Sequence, residues 1–131
     1  MQRLEDQNIE FKEKYVKDIR KEVVAFANSE GGTVLIGIRK DGEVSGIDDP
    51  DEVMLQVVNS LKDAIAPDIM PFVSVIPREI EEKHVIEINV SVGINRPYYI
   101  REKGLKPTGV YNRKNDVIKV RQTKGVLTEA I

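Results

Sequence analysis

The pattern of hydrophobic and polar positions in the first third of the chain predicts a helix that leads directly into a buried strand. The apolar positions of the helix recur at the spacing of one helical face: Ile19, Val23, Phe26 and Ala27. A continuous run of mostly β-branched residues follows, which is typical of a buried strand. We therefore predict a helix over 13–29 and a central strand over 33–39. Between them, Gly31 can adopt the left-handed C-cap conformation, and Gly32 allows a tight entry into the strand.

Alternating segments and capping signals predict the remaining elements. The predicted strands cover 8–12, 43–47, 71–76, 84–90, 98–101 and 110–113. A second helix begins at Asp49, an N-cap residue followed by Pro50, and it ends before Pro67. Its buried face consists of Val53, Val57, Leu61, Ala64 and Ile65. The order of elements predicts an α+β fold, a mixed and mainly antiparallel sheet with two helices packed on it.

The C-terminal end has a weaker pattern. Residues 117–121 fit one more strand, and 127–131 stop as though a helix were beginning. Residues 102–109 contain two glycines and a proline, which predicts a mobile loop. We expect the natural protein to continue beyond Ile131 into further domains.

Length and composition narrow the class of protein. A chain of 131 residues with 40% hydrophobic and 32% charged residues suits one soluble domain over 1–131. With no cysteine, disulfides and cysteine-ligated zinc are excluded. The single histidine, His84, excludes sites with several histidine ligands and is expected to be an exposed strand residue. Neither a signal peptide nor a membrane span is apparent in the sequence, so we expect a cytoplasmic protein with no membrane partner.

The charge distribution indicates one candidate site. From Arg96 to Lys124 there are nine basic and two acidic residues, a local charge of +7, which leaves −9 for the rest of a chain whose net charge is −2. Guanidinium groups can fork onto phosphates, and interleaved aromatic rings can stack on unpaired bases. The candidate nucleic-acid-binding residues are Arg96, Tyr98, Tyr99, Arg101, Tyr111, Arg113, Lys114 and Arg121. Adjacent strand residues point to opposite faces, so one of Tyr98 and Tyr99 is expected in the core. The alternative is that these charges only solvate a surface hairpin.

Several motifs together resemble one known family. They are Glu10-Phe11-Lys12, the string Ala25 to Thr33 (AFANSEGGT), Ile36-Gly37-Ile38, Asp41 to Val44 (DGEV), Gly46-Ile47 and Asn95 to Tyr99 (NRPYY). The chain resembles the Schlafen AlbA_2 domain, formerly called divergent AAA-4, from about Glu5 to Arg113. The resemblance implies a nucleic-acid-binding domain at the front of a bacterial transcriptional regulator, with DNA favoured over RNA and no cofactor.

The resemblance also implies an alternative, a metal-dependent endoribonuclease. Related domains of animal Schlafen proteins use two glutamates around this first strand and an aspartate after the central strand. The corresponding catalytic and metal-binding residues here are Glu5, Glu10 and Asp41, whose carboxylates suit Mg²⁺ or Mn²⁺. The sequence departs from that pattern, because Arg39-Lys40 places cations where relatives tend to carry the aspartate.

Nucleotide hydrolysis and dimerisation are two further candidate functions. Nucleotide hydrolysis is not supported, because the sequence contains no Walker lysine and the Gly31-Gly32 pair follows a helix and precedes a strand. A dimerisation or scaffold module is a third hypothesis, since short strands near Val110 and Val117 could pair between two chains.

Overall fold

The computed structural model describes residues 5–104, 121–123 and 126–128. Two α-helices lie in this part of the chain, α1 (Ile19–Ala27) and α2 (Pro50–Ala64). The strands are β1 (Ile9–Lys12), β2 (Gly32–Ile36), β3 (Ile65–Ala66), β4 (Val73–Ile80), β5 (Lys83–Val90), β6 (Tyr99–Ile100), β7 (Arg121–Thr123) and β8 (Val126–Thr128). Short 3-10 helices cover Met70–Phe72 and Arg101–Lys103.

The main sheet has four strands in the order β1-β2-β5-β4. β1 runs parallel to β2, whereas the β2–β5 and β5–β4 pairs are antiparallel. The parallel pair is connected through α1, as a parallel crossover requires. β3 pairs with β6, and β7 pairs with β8, in two separate two-stranded sheets. The prediction of an α+β fold with a mixed, mainly antiparallel sheet and two helices is confirmed.

Hydrophobic side chains cover both faces of the main sheet to different extents. The larger cluster joins α1 and α2 to the inward residues of β2 and β5, including Phe26, Val57, Val34 and Ile88, all fully buried. A smaller cluster on the other face contains Phe11 of β1 and Val85 of β5, together with Ile38 and Val44 from the bridge after β2. The helices therefore protect one face of the sheet, as expected for an apolar helical stripe on an antiparallel sheet.

The connection from α1 to β2 depends on one glycine conformation. Gly31 has φ +79° and donates its backbone N–H to the Phe26 carbonyl over 2.8 Å. A Cβ at this position would lie 2.7 Å from the Val90 carbonyl oxygen, closer than side-chain carbons pack. Gly31 has the predicted left-handed conformation, but the C-cap residue of α1 is Asn28. A glycine is required at position 31 because of both the left-handed backbone and the close approach of β5.

The first helix begins later than the sequence pattern predicted. α1 starts at Ile19 rather than at Glu13, although its C-terminal end agrees with the prediction to within two residues. The preceding segment packs in an irregular conformation, in which the Tyr15 hydroxyl donates to Ser60 Oγ of α2 over 2.7 Å. None of the apolar positions on which the helix was predicted lies before Ile19, so these positions mark its true start.

The second helix agrees with its prediction at the start and differs from it at the end. α2 ends at Ala64, so Ile65, predicted on the buried face of the helix, is instead a buried residue of β3. Asp49 is the N-cap, and its side chain accepts a hydrogen bond from the Glu52 backbone N–H over 3.1 Å. Pro50 is the first helical residue, and Val57 and Leu61 are buried. Within the described ranges, neither helix is long and apolar enough to cross a membrane.

Two predicted elements are corrected and two are confirmed. The turn after β2 is followed by a single antiparallel bridge, Ile38 to Val44, rather than by a paired strand over 43–47, because β2 already pairs with β1 and β5. The predicted start of a helix at 127 is wrong, since β8 covers this position. The hairpin of β4 and β5 is confirmed, and His84 is an exposed residue of β5.

Candidate functional site

The described part of the basic segment, residues 96–103, has its charged side chains outside and its apolar side chains inside. Tyr98 and Ile100 are buried, at 0% and 1% exposure. Arg96, Arg101 and Lys103 are exposed. The buried residues fix the backbone, so the basic side chains start from defined positions on the surface.

A buried asparagine attaches this segment to the end of α1. Asn28 is 3% exposed, and its side-chain Nδ2 donates to the Tyr98 carbonyl over 3.0 Å while its Oδ1 accepts from the Tyr98 backbone N–H over 2.7 Å. The Arg96 guanidinium donates to the Asn28 carbonyl over 3.4 Å. A primary amide that satisfies both backbone groups of one residue acts as a two-point clamp. The basic segment is thereby held against α1.

The two neighbouring tyrosines have different environments, as the sequence predicted. Tyr98 belongs to the core, where its ring meets Phe72 edge to face with centroids 6.3 Å apart. Its hydroxyl accepts a hydrogen bond from the Asn95 backbone N–H over 3.1 Å. Its inclusion among the base-stacking candidates is therefore corrected, because no face of its ring reaches the surface. Tyr99 is half-buried in β6.

The remaining candidates of the basic segment come after residue 104. Tyr111, Arg113 and Lys114 lie outside the described residues, as do Val110 and Val117, on which the dimerisation hypothesis rests. Arg121 is the first residue of β7.

A groove brings the basic segment together with the start of α1. Arg20 Nη2 lies 3.3 Å from Glu102 Oε1, and Lys17 Nζ lies 3.9 Å from the same oxygen. Two adjoining depressions of about 270 and 170 Å³ flank this contact. We name this feature the arginine groove. Its charged lining residues are Lys17, Arg20, Lys21, Arg101 and Lys103, against Asp18, Asp63 and Glu102.

No pattern in the sequence indicates this groove. Lys17 and Arg20 lie in a charged stretch without a motif, and their partner Glu102 follows Arg20 by 82 residues. Asn28 is the residue from which the attachment of the basic segment could have been inferred. A polar residue at the end of an apolar helical stripe needs hydrogen-bond partners when it is buried.

The acidic candidates form a second cluster, and a lysine lies between them. Lys40 Nζ donates to Glu10 Oε2 over 2.5 Å and to Glu5 Oε2 over 2.8 Å. Glu5 also accepts from the Phe11 backbone N–H over 2.7 Å, and Lys12 Nζ lies 3.8 Å from Glu10. We name Glu5, Glu10, Lys12 and Lys40 the acid–lysine cluster. The sequence departs from the nuclease pattern at Arg39-Lys40, and the structure shows the consequence. The Lys40 ammonium group lies between Glu5 and Glu10, where the nuclease alternative would require a metal ion.

The protonation of Lys40 follows from this geometry. Partial burial acts to lower its pKa, but the hydrogen bonds to Glu10 and Glu5, with their negative charges, raise the pKa above the usual 10.5. The third acidic candidate has a different role, because Asp41 Oδ1 accepts from the Glu43 backbone N–H over 2.9 Å within the turn after β2. Across the described ranges, no group of three or more acidic, histidine or cysteine side chains is arranged to hold a metal ion.

Comparison with family models identifies the chain's family. The model described as Schlafen, AlbA_2 matches residues 5–121, which is most of the chain. The chain therefore belongs to the Schlafen AlbA_2 family, and the match continues past Arg113, where the resemblance in the sequence ended. No curated protein sequence matches the chain.

Solved structures show the same fold in other proteins. One similar structure is the N-terminal domain of a Nitrosomonas europaea protein described as related to the ATP-dependent DNA helicase RecG, with a TM-score of 0.63 and 24% identity over 95% of this chain and 86% of that one. A crystal structure of a Corynebacterium diphtheriae protein aligns with a TM-score of 0.51 and 16% identity. It matches 95% of this chain, which spans only 25% of that protein. At these identities the likeness concerns the fold.

Proposed function

We propose that this chain is a nucleic-acid-binding module that holds the phosphate backbone of DNA through its basic segment. The observation that carries the proposal is the arrangement of residues 96–103, where Arg96, Arg101 and Lys103 are exposed and the intervening Tyr98 and Ile100 are buried. Because the cations start from a fixed backbone, binding phosphates costs less ordering of the chain than it would from a mobile tail.

Family membership and one structural neighbour support the same class of function. The family resemblance implies nucleic-acid binding, and the name of the Nitrosomonas europaea protein relates it to a DNA helicase. We propose that residues 1–131 form one domain of a longer bacterial regulator of transcription in the cytoplasm, with DNA preferred over RNA. A homodimer would place two basic surfaces side by side.

We propose a binding function rather than a catalytic one. The residues that would carry the nuclease alternative, Glu5 and Glu10, already share the ammonium group of Lys40. A divalent ion would have to displace this lysine before it could reach both carboxylates. We therefore assign no cofactor, and Mg²⁺ or Mn²⁺ enters only under the nuclease alternative.

Fluorescence anisotropy with labelled single-stranded DNA, duplex DNA and RNA, each across a salt series, tests the proposal. We expect binding that weakens steeply with salt and leaves the label uncut, because phosphate contacts release condensed counterions. Affinity that is absent at low salt, or unchanged when Arg96 and Arg101 are replaced by Gln, contradicts it. Light scattering on the same samples measures the oligomeric state.

A further inference from the structure

The Glu102 carboxylate lies at the point where the two depressions of the arginine groove meet. Arg20, Ile100 and Glu102 line both depressions. Five basic and three acidic side chains line the groove as a whole, so its lining carries a net charge of +2 (five minus three). An anionic side chain is thus held by cations in a groove that retains positive charge.

We propose that the arginine groove binds a nucleic-acid phosphate at the place now taken by the Glu102 carboxylate, with Arg20 and Lys17 as its ligands. This inference rests on the proposed function and deepens it, because it adds two residues of the α1 region to an interface otherwise confined to the basic segment. Glu102 then acts as an internal competitor for the site.

Arg20 is prepared for this role by its environment. Its side chain is only 14% exposed, and its Nε donates to the Lys17 carbonyl over 3.3 Å. The guanidinium is therefore oriented from one side, while Nη2 faces the carboxylate. An oriented guanidinium matches the fork geometry of phosphate oxygens and loses little freedom on binding.

Glu102, in contrast, is weakly held. Its side chain is 56% exposed, and its distances to the two cations, 3.3 and 3.9 Å, exceed those of a strong charge-assisted hydrogen bond. Exposed ion pairs of this kind contribute little to stability, because water and salt screen them. A phosphate can displace the carboxylate at small cost and offers more acceptor oxygens to the same cations.

The groove's position indicates a nucleic acid as the occupant. Arg101 and Lys103 line it and also belong to the basic segment, so one strand could contact Arg96 and the groove in succession. The two depressions adjoin each other and are partly open to solvent, so they form a continuous groove rather than a closed pocket. A partner with regularly repeated phosphates fits this continuity better than an isolated anion does.

Four single variants test the inference by anisotropy with labelled DNA. Glu102→Gln removes the competitor, and Glu43→Gln makes the same charge change at a turn residue that pairs with Arg39. Arg20→Gln removes the main ligand, and Arg78→Gln removes an arginine of β4 that pairs with Glu87. The two variants of each pair have the same net charge. A difference in DNA affinity between them therefore depends on where the charge was removed. Melting curves verify that all four variants are folded.

We expect Glu102→Gln to bind DNA about three- to fivefold more tightly than Glu43→Gln at low salt. Arg20→Gln should bind several-fold more weakly than Arg78→Gln, and its salt slope should fall by about one phosphate contact. If the parent chain binds DNA but the two variants of each pair bind it equally well, the groove is not the phosphate site. The proposed function is then unaffected. A parent that binds no nucleic acid overturns both. Tighter binding of a polyglutamate peptide than of DNA would overturn the nucleic-acid assignment in favour of an acidic protein partner.

Discussion

The acid–lysine cluster and the arginine groove are made from the same kinds of side chain in different proportions. In the cluster, Lys40 donates to two carboxylates over 2.5 and 2.8 Å, and Lys12 balances the remaining charge. In the groove, one carboxylate lies 3.3 and 3.9 Å from two cations. The first arrangement satisfies its own charges, whereas the second keeps cations in excess.

Burial falls on opposite members of the two ion pairs. In the cluster the Glu10 side chain is 13% exposed and Lys40 is 62% exposed, whereas in the groove Arg20 is 14% exposed and Glu102 is 56% exposed. The member that is partly removed from water is held by the protein, and the exposed member is screened by water. The cluster therefore holds its carboxylates and exposes a cation, whereas the groove holds a cation and exposes an exchangeable carboxylate. Composition alone would not distinguish the two, since both contain lysine and glutamate.

The largest expected effect concerns the clamp on which only the groove depends. Asn28→Ala removes both hydrogen bonds to Tyr98 and leaves its buried backbone N–H and carbonyl without these partners. We expect the free energy of unfolding to fall by about 2 to 4 kcal/mol in urea denaturation. Ser29→Ala, which removes a single hydrogen bond to the Ala25 carbonyl, is the control. Equal losses in the two variants would show that the clamp has no special role.

Next in size is the loss of DNA affinity when cations of the basic segment are removed. The double variant Arg96→Gln with Arg101→Gln should bind DNA at least about tenfold more weakly at low salt and show a shallower salt dependence. Lys12→Gln with Arg78→Gln removes the same charge from residues that pair with Glu10 and Glu87. If this second double variant loses as much DNA affinity as the first, the basic segment has no special role in binding.

A smaller effect is expected from metal ions at the cluster. The parent should show no change of melting temperature in millimolar Mn²⁺, because Lys40 already bridges the carboxylates. Lys40→Gln removes the ammonium group that bridges Glu5 and Glu10, and Mn²⁺ should then raise the melting temperature by about 2 °C. Stabilisation of the parent by Mn²⁺ that disappears in Glu10→Gln would instead support the nuclease alternative.

The smallest expected effect is a pH dependence of the same network. Because the folded pKa of Lys40 is raised above 10.5, its contribution to stability is complete below that pH and is lost as the pH rises through the folded pKa. The stability difference between the parent and Lys40→Gln should therefore be constant near neutral pH and shrink in strongly alkaline buffer. Urea midpoints of both proteins at each pH measure it, and a difference that grows with pH would contradict the assignment.

Sequence patterns predicted the fold well where local chemistry decides the structure. The N-cap signals at Asp49 and Pro50 and the left-handed glycine at Gly31 each act within a few residues, and the structure contains all three, although the C-cap residue of α1 is Asn28. The start of α1 was predicted too early, because none of the apolar positions that indicate the helix lies before Ile19. Only contacts with α2, such as that of Tyr15 with Ser60, reveal where that segment goes.

The candidate site was predicted only in part, for a related reason. Arg96 and Arg101 are exposed as expected, and the sequence foresaw that one of the paired tyrosines belongs to the core. It could not indicate the groove, because Arg20 and Glu102 are brought together by the pairing of β3 with β6 and by the clamp at Asn28. Contacts over such sequence separations leave no periodic signal.

Chemical-shift mapping on the isotope-labelled 131-residue chain distinguishes the groove from the cluster as the DNA-binding site. On titration with a short DNA duplex at low salt, we expect amide shifts at 17–21 and 100–104, which form the arginine groove, and none at 5–12 or 39–43. Shifts concentrated at 5–12 and 39–43, with the groove unaffected, would instead locate the nucleic acid at the acid–lysine cluster and overturn the proposed site.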